Sequence, residues 1–222
     1  MRRWSSSNPK ASLMARKRFA IVRAARQAFL EGGYAQTSMD RIAKAAGVGI
    51  KTVYRHFEDK DDLFSAVMQA ACNPAAFDHV SGRWKEPKNE AERPWFAKPP
   101  HSALVAAGIE YLHHVLSDEQ LALYRVVIRD AHRFPELGRR YQAQVIERAH
   151  DVFVHYLARW IPVEKWKISN ERAAAQVFTA LLRAGIFENA LYGRDRVSEG
   201  EITNRARGAA ARMLILLHGG GL

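Results

Sequence analysis

From Ala15 to Leu30 the apolar positions Ala15, Phe19, Val22, Ala25, Ala28 and Phe29 recur at helical spacing, while Arg16, Lys17, Arg23 and Arg26 take the other faces. This pattern predicts a first helix that stops at Gly32-Gly33, because glycine readily enters the left-handed conformation a helix end uses. Thr37 or Ser38 then stands where a hydroxyl can cap a second helix, with Met39, Ile42, Ala43 and Ala46 turned inward. At about eight residues this helix needs a partner. Gly47 turns the chain, Val48 plugs the turn, and Ile50 to Phe57 forms a third short helix with Val53 and Phe57 on one side. Asp59 offers an N-cap and Asp62 suits the first turn of a fourth helix starting near Lys60, with Leu63, Phe64, Val67 and Met68 inside.

Beyond Asn73 the periodicity fails. Pro74, Pro87, Pro94, Pro99 and Pro100 preclude one continuous helix, yet Trp84, Trp95 and Phe96 are too apolar for a solvated linker, so the stretch reads as a boundary segment packed on a second domain. Helical patterns resume over Ser102 to Leu116, Glu119 to Arg133, Glu136 to Trp160, Asn170 to Tyr192 and Ser198 to Leu217. Alternation with a period of two persists nowhere, and the expected fold class is all-α. Three parts are expected: a flexible basic arm over 1–12, a helix-turn-helix domain over 13–60 and a helical domain over 61–222.

Charge separates the parts further. The 222 residues carry 34 Lys and Arg against 23 Asp and Glu, and residues 1–60 hold thirteen basic side chains against four acidic ones. The excess therefore sits in the first quarter of the chain, which points to a polyanionic partner there and a different task for the rest. The longest apolar runs, Ala103 to Ile109 and Met213 to Leu217, are far shorter than the ~18 residues of a membrane span, and no apolar run follows the basic N-terminus. A cytoplasmic protein without a membrane partner is expected. Cys72 is the single cysteine, which excludes an internal disulfide; it reads either as a small buried hydrophobe or as an oxidation sensor.

Two short helices around a glycine turn have the form of a helix-turn-helix. The outer face of the second carries Gly49, Ile50, Lys51, Thr52, Tyr54 and Arg55, a set suited to a DNA major groove. A purely structural hairpin, a non-specific nucleic-acid-coating protein and a helical enzyme are the alternatives. Against the enzyme, His113-His114 are adjacent and His150 and His155 are five apart, so neither pair has the spacing of a helical metal site; nucleophile-elbow, phosphate-loop and dinucleotide motifs are absent. Neither a metal nor a cofactor is expected.

The run from Gly33 to Phe64, with its Gly-Tyr-x-x-Thr-Ser, Ile-Ala-x-x-Ala-Gly-Val and Tyr-x-His-Phe-x-x-Lys patterns, resembles the DNA-binding region of the TetR family of bacterial transcription regulators. The resemblance implies a dimeric repressor released from a palindromic double-stranded operator by a small-molecule effector. It implies that Thr37 caps helix two beside the DNA backbone, that Lys51 and Thr52 open the recognition helix, and that Tyr54 reaches a phosphate or base edge. His56 would brace the backbone contact and Lys60 would hold a phosphate. Gly49 departs from the family's usual Ser or Thr, and Ile50 from its frequent Lys, so Ile50 would meet a thymine methyl instead. Arg2, Arg3 and Lys10 would either reach a minor groove or remain in a disordered tail.

Tyr124 to Leu137, ending in Arg-Phe-Pro-Glu-Leu, is similar to the C-terminal domain of an AefR-like subgroup. In the family the last two helices of each chain form a four-helix dimer interface. Phe178, Leu181, Leu182, Gly185 and Ile186, with Ala206, Ala210, Met213 and Leu217, would supply it here, unless half of them face the chain's own core. The helices from Ser102 to Trp160 would enclose the effector, with Tyr111, His114, Tyr124, Arg129, Phe153 and Trp160 as candidate pocket groups.

Overall fold

The computed structural model of the chain describes residues 9–72, 77–78, 83–84, 93–193 and 196–220. Its helices are α1 (Pro9–Gln36), α2 (Met39–Ala45), α3 (Ile50–His56), α4 (Lys60–Cys72), α5 (Pro100–Val115), α6 (Asp118–Asp130), α7 (Pro135–Tyr141), α8 (Glu147–Glu164), α9 (Glu171–Arg183), α10 (Ile186–Leu191) and α11 (Glu199–Gly219). A π-helical stretch, Gln142–Ile146, joins α7 to α8. Phe77–Asp78 pairs antiparallel with Arg83–Trp84, a pairing too short to leave an alternating pattern in the sequence. The all-α expectation is met.

Local chemistry sets the ends of these elements. Helix α1 begins at Pro9, inside the stretch expected as a flexible arm, while Arg2 and Arg3 lie outside the described residues. It breaks at Gly33, whose φ of 77° and ψ of 175° only glycine adopts readily. Asn170 Oδ1 caps α9, and Ser198 with Glu201 forms a capping box on α11. The helix expected over Asn170 to Tyr192 is two, because Gly185 turns the chain at φ 76° between α9 and α10. The side chain of Cys72, where oxidation sensing would occur, lies outside the described residues.

The chain forms two compact units. One comprises Met1–Pro87 with Ala122–Val145, the other Lys88–Leu121 with Ile146–Leu222, so α4, most of α6 and α7 join the N-terminal helices rather than the chain dividing at residue 60. Ile21, Phe29, Ile42, Val53, Phe57, Phe64 and Leu137 lie in the core of the first unit. Leu104, Tyr156, Phe178, Leu182, Ala206 and Met213 lie in that of the second. There α5, α9 and α11 come so close at Gly108 that a Cβ would stand 2.9 Å from Leu182 and 3.2 Å from Ala206. Trp95 and Phe96 pack in this core as expected of the boundary segment; Trp95 Nε1 donates to Glu110 at 2.7 Å, and the Tyr156 hydroxyl donates to the Lys98 carbonyl at 3.1 Å.

This core corrects part of the expected dimer surface. Phe178, Leu182, Ala206, Ala210, Met213 and Leu217 are all buried within their own chain, because α11 turns that face onto α5 and α9. Leu181, Gly185 and Ile186 keep part of their surface. On α11 the outward apolar residues are instead Ala211 and Ile215, beside the exposed Arg207 and Arg212, with Gly208 and Leu214 partly exposed. Among the described residues no helix is long and apolar enough to cross a membrane.

Candidate nucleic-acid interface

Helices α2 and α3 are held at a fixed crossing by their own ends. Ser38, not Thr37, caps α2: its Oγ accepts from the Arg41 N–H at 3.2 Å. At the other end the Gly47 N–H donates to Lys44 O at 3.2 Å and the Val48 N–H to Ala43 O at 3.0 Å, a Schellman ending with Gly47 at φ 65°. Val48 and Ile50 pack partly against the first core, and Val53 and Phe57 anchor α3 from beneath. Ile50 is therefore half-buried rather than a free outward contact.

What α3 leaves in solvent is polar. Lys51, Tyr54 and Arg55 are exposed, Thr52 is half-exposed, and Gly49 precedes them with open space where a side chain would stand. The Gly49 carbonyl accepts from the Thr52 N–H at 2.8 Å, so the helix starts without a side-chain cap. At the far end the His56 carbonyl accepts from Arg18 Nη1 at 3.0 Å, and the Arg18 guanidinium lies 4.2 Å from the centroid of the Phe57 ring. Burial lowers the pKa of His56, and the charges of Arg18, Arg55 and Lys17 lower it further. A patch of cations thus surrounds an imidazole favoured in its neutral form. Beside it a 460 Å³ cleft is lined by Tyr54, Arg55, His56, Phe57, Glu58, Asp59, Asp62 and Arg140.

Two expected DNA contacts have internal roles instead. Thr37 is 2% exposed, and its hydroxyl lies 3.0 Å from the Ala28 carbonyl and 2.7 Å from that of Gly33. Lys60 Nζ donates to the carbonyls of Tyr34 at 3.0 Å and Thr37 at 3.1 Å, and lies 4.3 Å from the Tyr34 ring centroid. The family motif identifies both positions, but their polar atoms are bound inside the first unit. Arg18 and Asp130 lie outside the motif, and Tyr34, although part of it, was given no role from it. Asp130 carried one signal in the sequence: an acid at the C-terminus of a helix opposes the dipole and calls for compensating donors.

The candidate effector groups divide between the two units. Tyr124 and Arg129 belong to the first unit, where Tyr124 packs on Tyr141 at 5.6 Å between ring centroids and Arg129 pairs with Asp130. Tyr111, His114, Phe153 and Trp160 belong to the second. Phe153 stacks on Phe178 at 4.7 Å, and burial raises the pKa of Tyr111 against the opposing effect of Arg183. Burial likewise lowers the pKa of His114, helped by Arg93.

Residues 21–67 match the family described as bacterial regulatory proteins, tetR family, and residues 102–216 match the AefR-like transcriptional repressor C-terminal domain, which alone covers more than half the chain. The chain belongs to the TetR family. TetR proteins are DNA-binding regulators rather than enzymes, which removes the enzymatic alternative. The HTH-type transcriptional repressor BepR of Brucella suis biovar 1 (strain 1330) is 42% identical over 73 residues, 29% of this chain and 35% of BepR. The chain thus spans about a third or less of the length of the curated relatives it matches. Solved structures match over nearly all of it. A protein assigned to the TetR-family regulators from Mesorhizobium loti MAFF303099 has a TM-score of 0.73 at 26% identity, covering 91% of this chain and 97% of its own. The flavonoid-responsive regulator FrrA has a TM-score of 0.69 at 26% identity, covering 90% and 95%.

Proposed function

We propose that this TetR-family chain is a dimeric transcriptional repressor that reads a palindromic operator through α3 and leaves it when a small molecule binds the second unit. The observation that carries the reading is the exposed row Lys51, Tyr54 and Arg55 on a helix fixed from beneath by Val53 and Phe57. Lys51, Arg55 and Lys17 supply phosphate contacts that set register, while Thr52, Tyr54 and the exposed part of Ile50 meet base edges. Gly49 lets the backbone approach the DNA closely. His56 braces the end of the helix. A seven-residue helix reads too few base pairs to be specific alone, so two copies related by a two-fold axis are required. The outward residues Ala211, Leu214 and Ile215 of α11, with Leu181, Gly185 and Ile186, form the pairing surface.

The effector belongs to the second unit, with Tyr111, His114, Phe153 and Trp160 as its contacts. FrrA is described as flavonoid-responsive, and a planar aromatic compound suits that set of rings. The effector must favour the conformer that does not bind DNA, since equal affinity for both shifts nothing. Such a regulator acts in the cytoplasm, where the operator is. Selection from a random duplex pool tests the reading. It should enrich a two-fold symmetric site with half-sites about 34–36 Å apart or a helical multiple of that. Scrambling that site should weaken binding by roughly 10³ or more. Equal binding to site and scramble, falling steeply with salt, would leave a non-specific coating protein and overturn the proposal.

A further inference from the structure

Tyr34 follows the break at Gly33 and is buried, and all three of its polar groups are held from outside α1. Its N–H donates to Asp130 Oδ2 at 2.7 Å, and the Ala35 N–H lies 3.4 Å from the same oxygen. Its carbonyl accepts from Lys60 Nζ at 3.0 Å, and its hydroxyl bonds to Asp61. These two N–H groups need an acceptor, because the Gly33 conformation takes them out of the α1 ladder. Asp130, 5% exposed, is the last residue of α6, where the helix dipole disfavours a carboxylate. Within α6 only its neighbour Arg129 offsets that charge. Arg129 completes the clamp: its guanidinium lies 3.3 Å from Asp130 Oδ2 and occupies the space a Cβ on Gly33 would need.

Helix α6 is also where the chain passes from the second unit into the first, since Asp118 to Leu121 belong to one and Ala122 to Asp130 to the other. It is one unbroken helix of 13 residues, about 20 Å long at 1.5 Å per residue. We infer that Asp130 is the positioning residue through which α6 fixes the orientation of the helix-turn-helix, by holding the Tyr34 turn from which α2 departs. A shift of α6 along its axis either carries the turn with it or breaks two hydrogen bonds to a buried carboxylate. Thr37 passes the constraint on, because its hydroxyl ties the start of α2 to the Ala28 and Gly33 carbonyls. The role in DNA reading rests on the function proposed above; the clamp itself does not.

Two variants of the full chain, Asp130→Ala and Asp130→Asn, test the inference by amide hydrogen exchange without DNA and by affinity for the selected operator. Asp130→Ala should speed exchange at Tyr34, Ala35 and across α2 and α3 by about tenfold or more, and weaken operator binding by a similar factor, with α9 and α11 unchanged. Asp130→Asn keeps an oxygen acceptor and should hold both quantities within about threefold of the parent. Parent-like exchange and affinity in Asp130→Ala overturn the inference. If Asp130→Ala instead loosens α1 and α4 as well, Asp130→Asn decides: slow exchange with retained affinity supports the clamp, and slow exchange with lost affinity overturns it. Should the parent protein select no operator, the regulator reading fails, while the exchange measurement still decides the clamp.

Discussion

At the scale of single residues, a polar side chain near the DNA-reading helix serves either the groove or the fold, and its hydrogen-bond partners tell which. Thr37 serves the fold, with its hydroxyl sealed against two carbonyls. Thr37→Val should therefore lower stability by about 1 kcal/mol in urea melts and leave the salt dependence of operator binding unchanged. Lys51→Ala should do the reverse, with parent-like stability and a salt slope smaller by about 0.9, the value of one lost phosphate contact. On the proposed function His56 belongs to both classes. Burial and then the charges of Arg18, Arg55 and Lys17 depress its pKa below the ordinary value, which favours the neutral imidazole in the free protein. A phosphate docked among those cations offsets their charge and raises the pKa again, so binding takes up a proton. Operator affinity at constant ionic strength should increase as pH falls from about 7.5 to about 6, and His56→Gln should flatten the profile. An unchanged profile in that variant would remove His56 from the interface.

At the scale of elements, the two glycines flanking the helix-turn-helix differ in kind. Gly47 has φ 65° with open space around it, whereas Gly33 combines φ 77° with ψ 175° under the Arg129 guanidinium. Gly47→Ala should cost about 1 kcal/mol and Gly47→Asn less, since asparagine visits the left-handed region more readily. Gly33→Ala should cost about 2–3 kcal/mol, because that conformation is open essentially to glycine alone and Arg129 must also move. Urea melts should rank Gly47→Asn as the least destabilised, then Gly47→Ala, then Gly33→Ala. Both glycines were legible in the sequence as helix ends, and so was the α2–α3 hairpin, because each is written in a few adjacent residues. Thr37 and Ser38 were both able to cap, and only the turn after Gly33 decides between them. Asp130 meets Tyr34 across 96 positions, a separation no local pattern bridges. The break at Gly185 was missed because apolar spacing continues through it from Leu182 to Ile186. The candidate pocket groups divide between the two units for a related reason: aromatic residues on α5, α6 and α8 share a composition but not a compact unit.

At the scale of the whole molecule, two properties follow from what the cores bury. His150 is the first: its Nε2 lies 3.1 Å from Thr179 Oγ1, and Thr179 donates to a carbonyl of its own helix, so Nε2 carries the proton. Its buried Nδ1 has no hydrogen-bond partner among the described residues. Burial is the first cause of lowered pKa at His150, His114 and His56 alike. A depressed folded-state pKa means that the unfolded chain binds more protons, so stability is full above about pH 6.5 and declines as pH falls through the lowered values. Thermal midpoints should hold from about pH 8 to 7 and drop toward pH 5, with a smaller drop in His114→Gln. The second property is pairing. Helix α11 spends Ile202, Ala206, Ala209, Ala210, Met213 and Leu217 on its own core, which leaves Ala211 and the 72%-exposed Ile215 as the apolar part of an outward side that also carries Arg207 and Arg212. A lone exposed isoleucine is ordinary, but here it continues into the partly exposed Leu214 and Gly208. If that face pairs two copies, Ile215→Arg buries a like-charge pair near the two-fold axis, where each substitution meets its symmetry mate. The variant should sediment as a monomer with unchanged helical content. It should bind the palindrome at least about 100-fold more weakly, while retaining the salt-sensitive affinity of a single reading head. A dimer that survives Ile215→Arg would move the pairing surface off this face of α11.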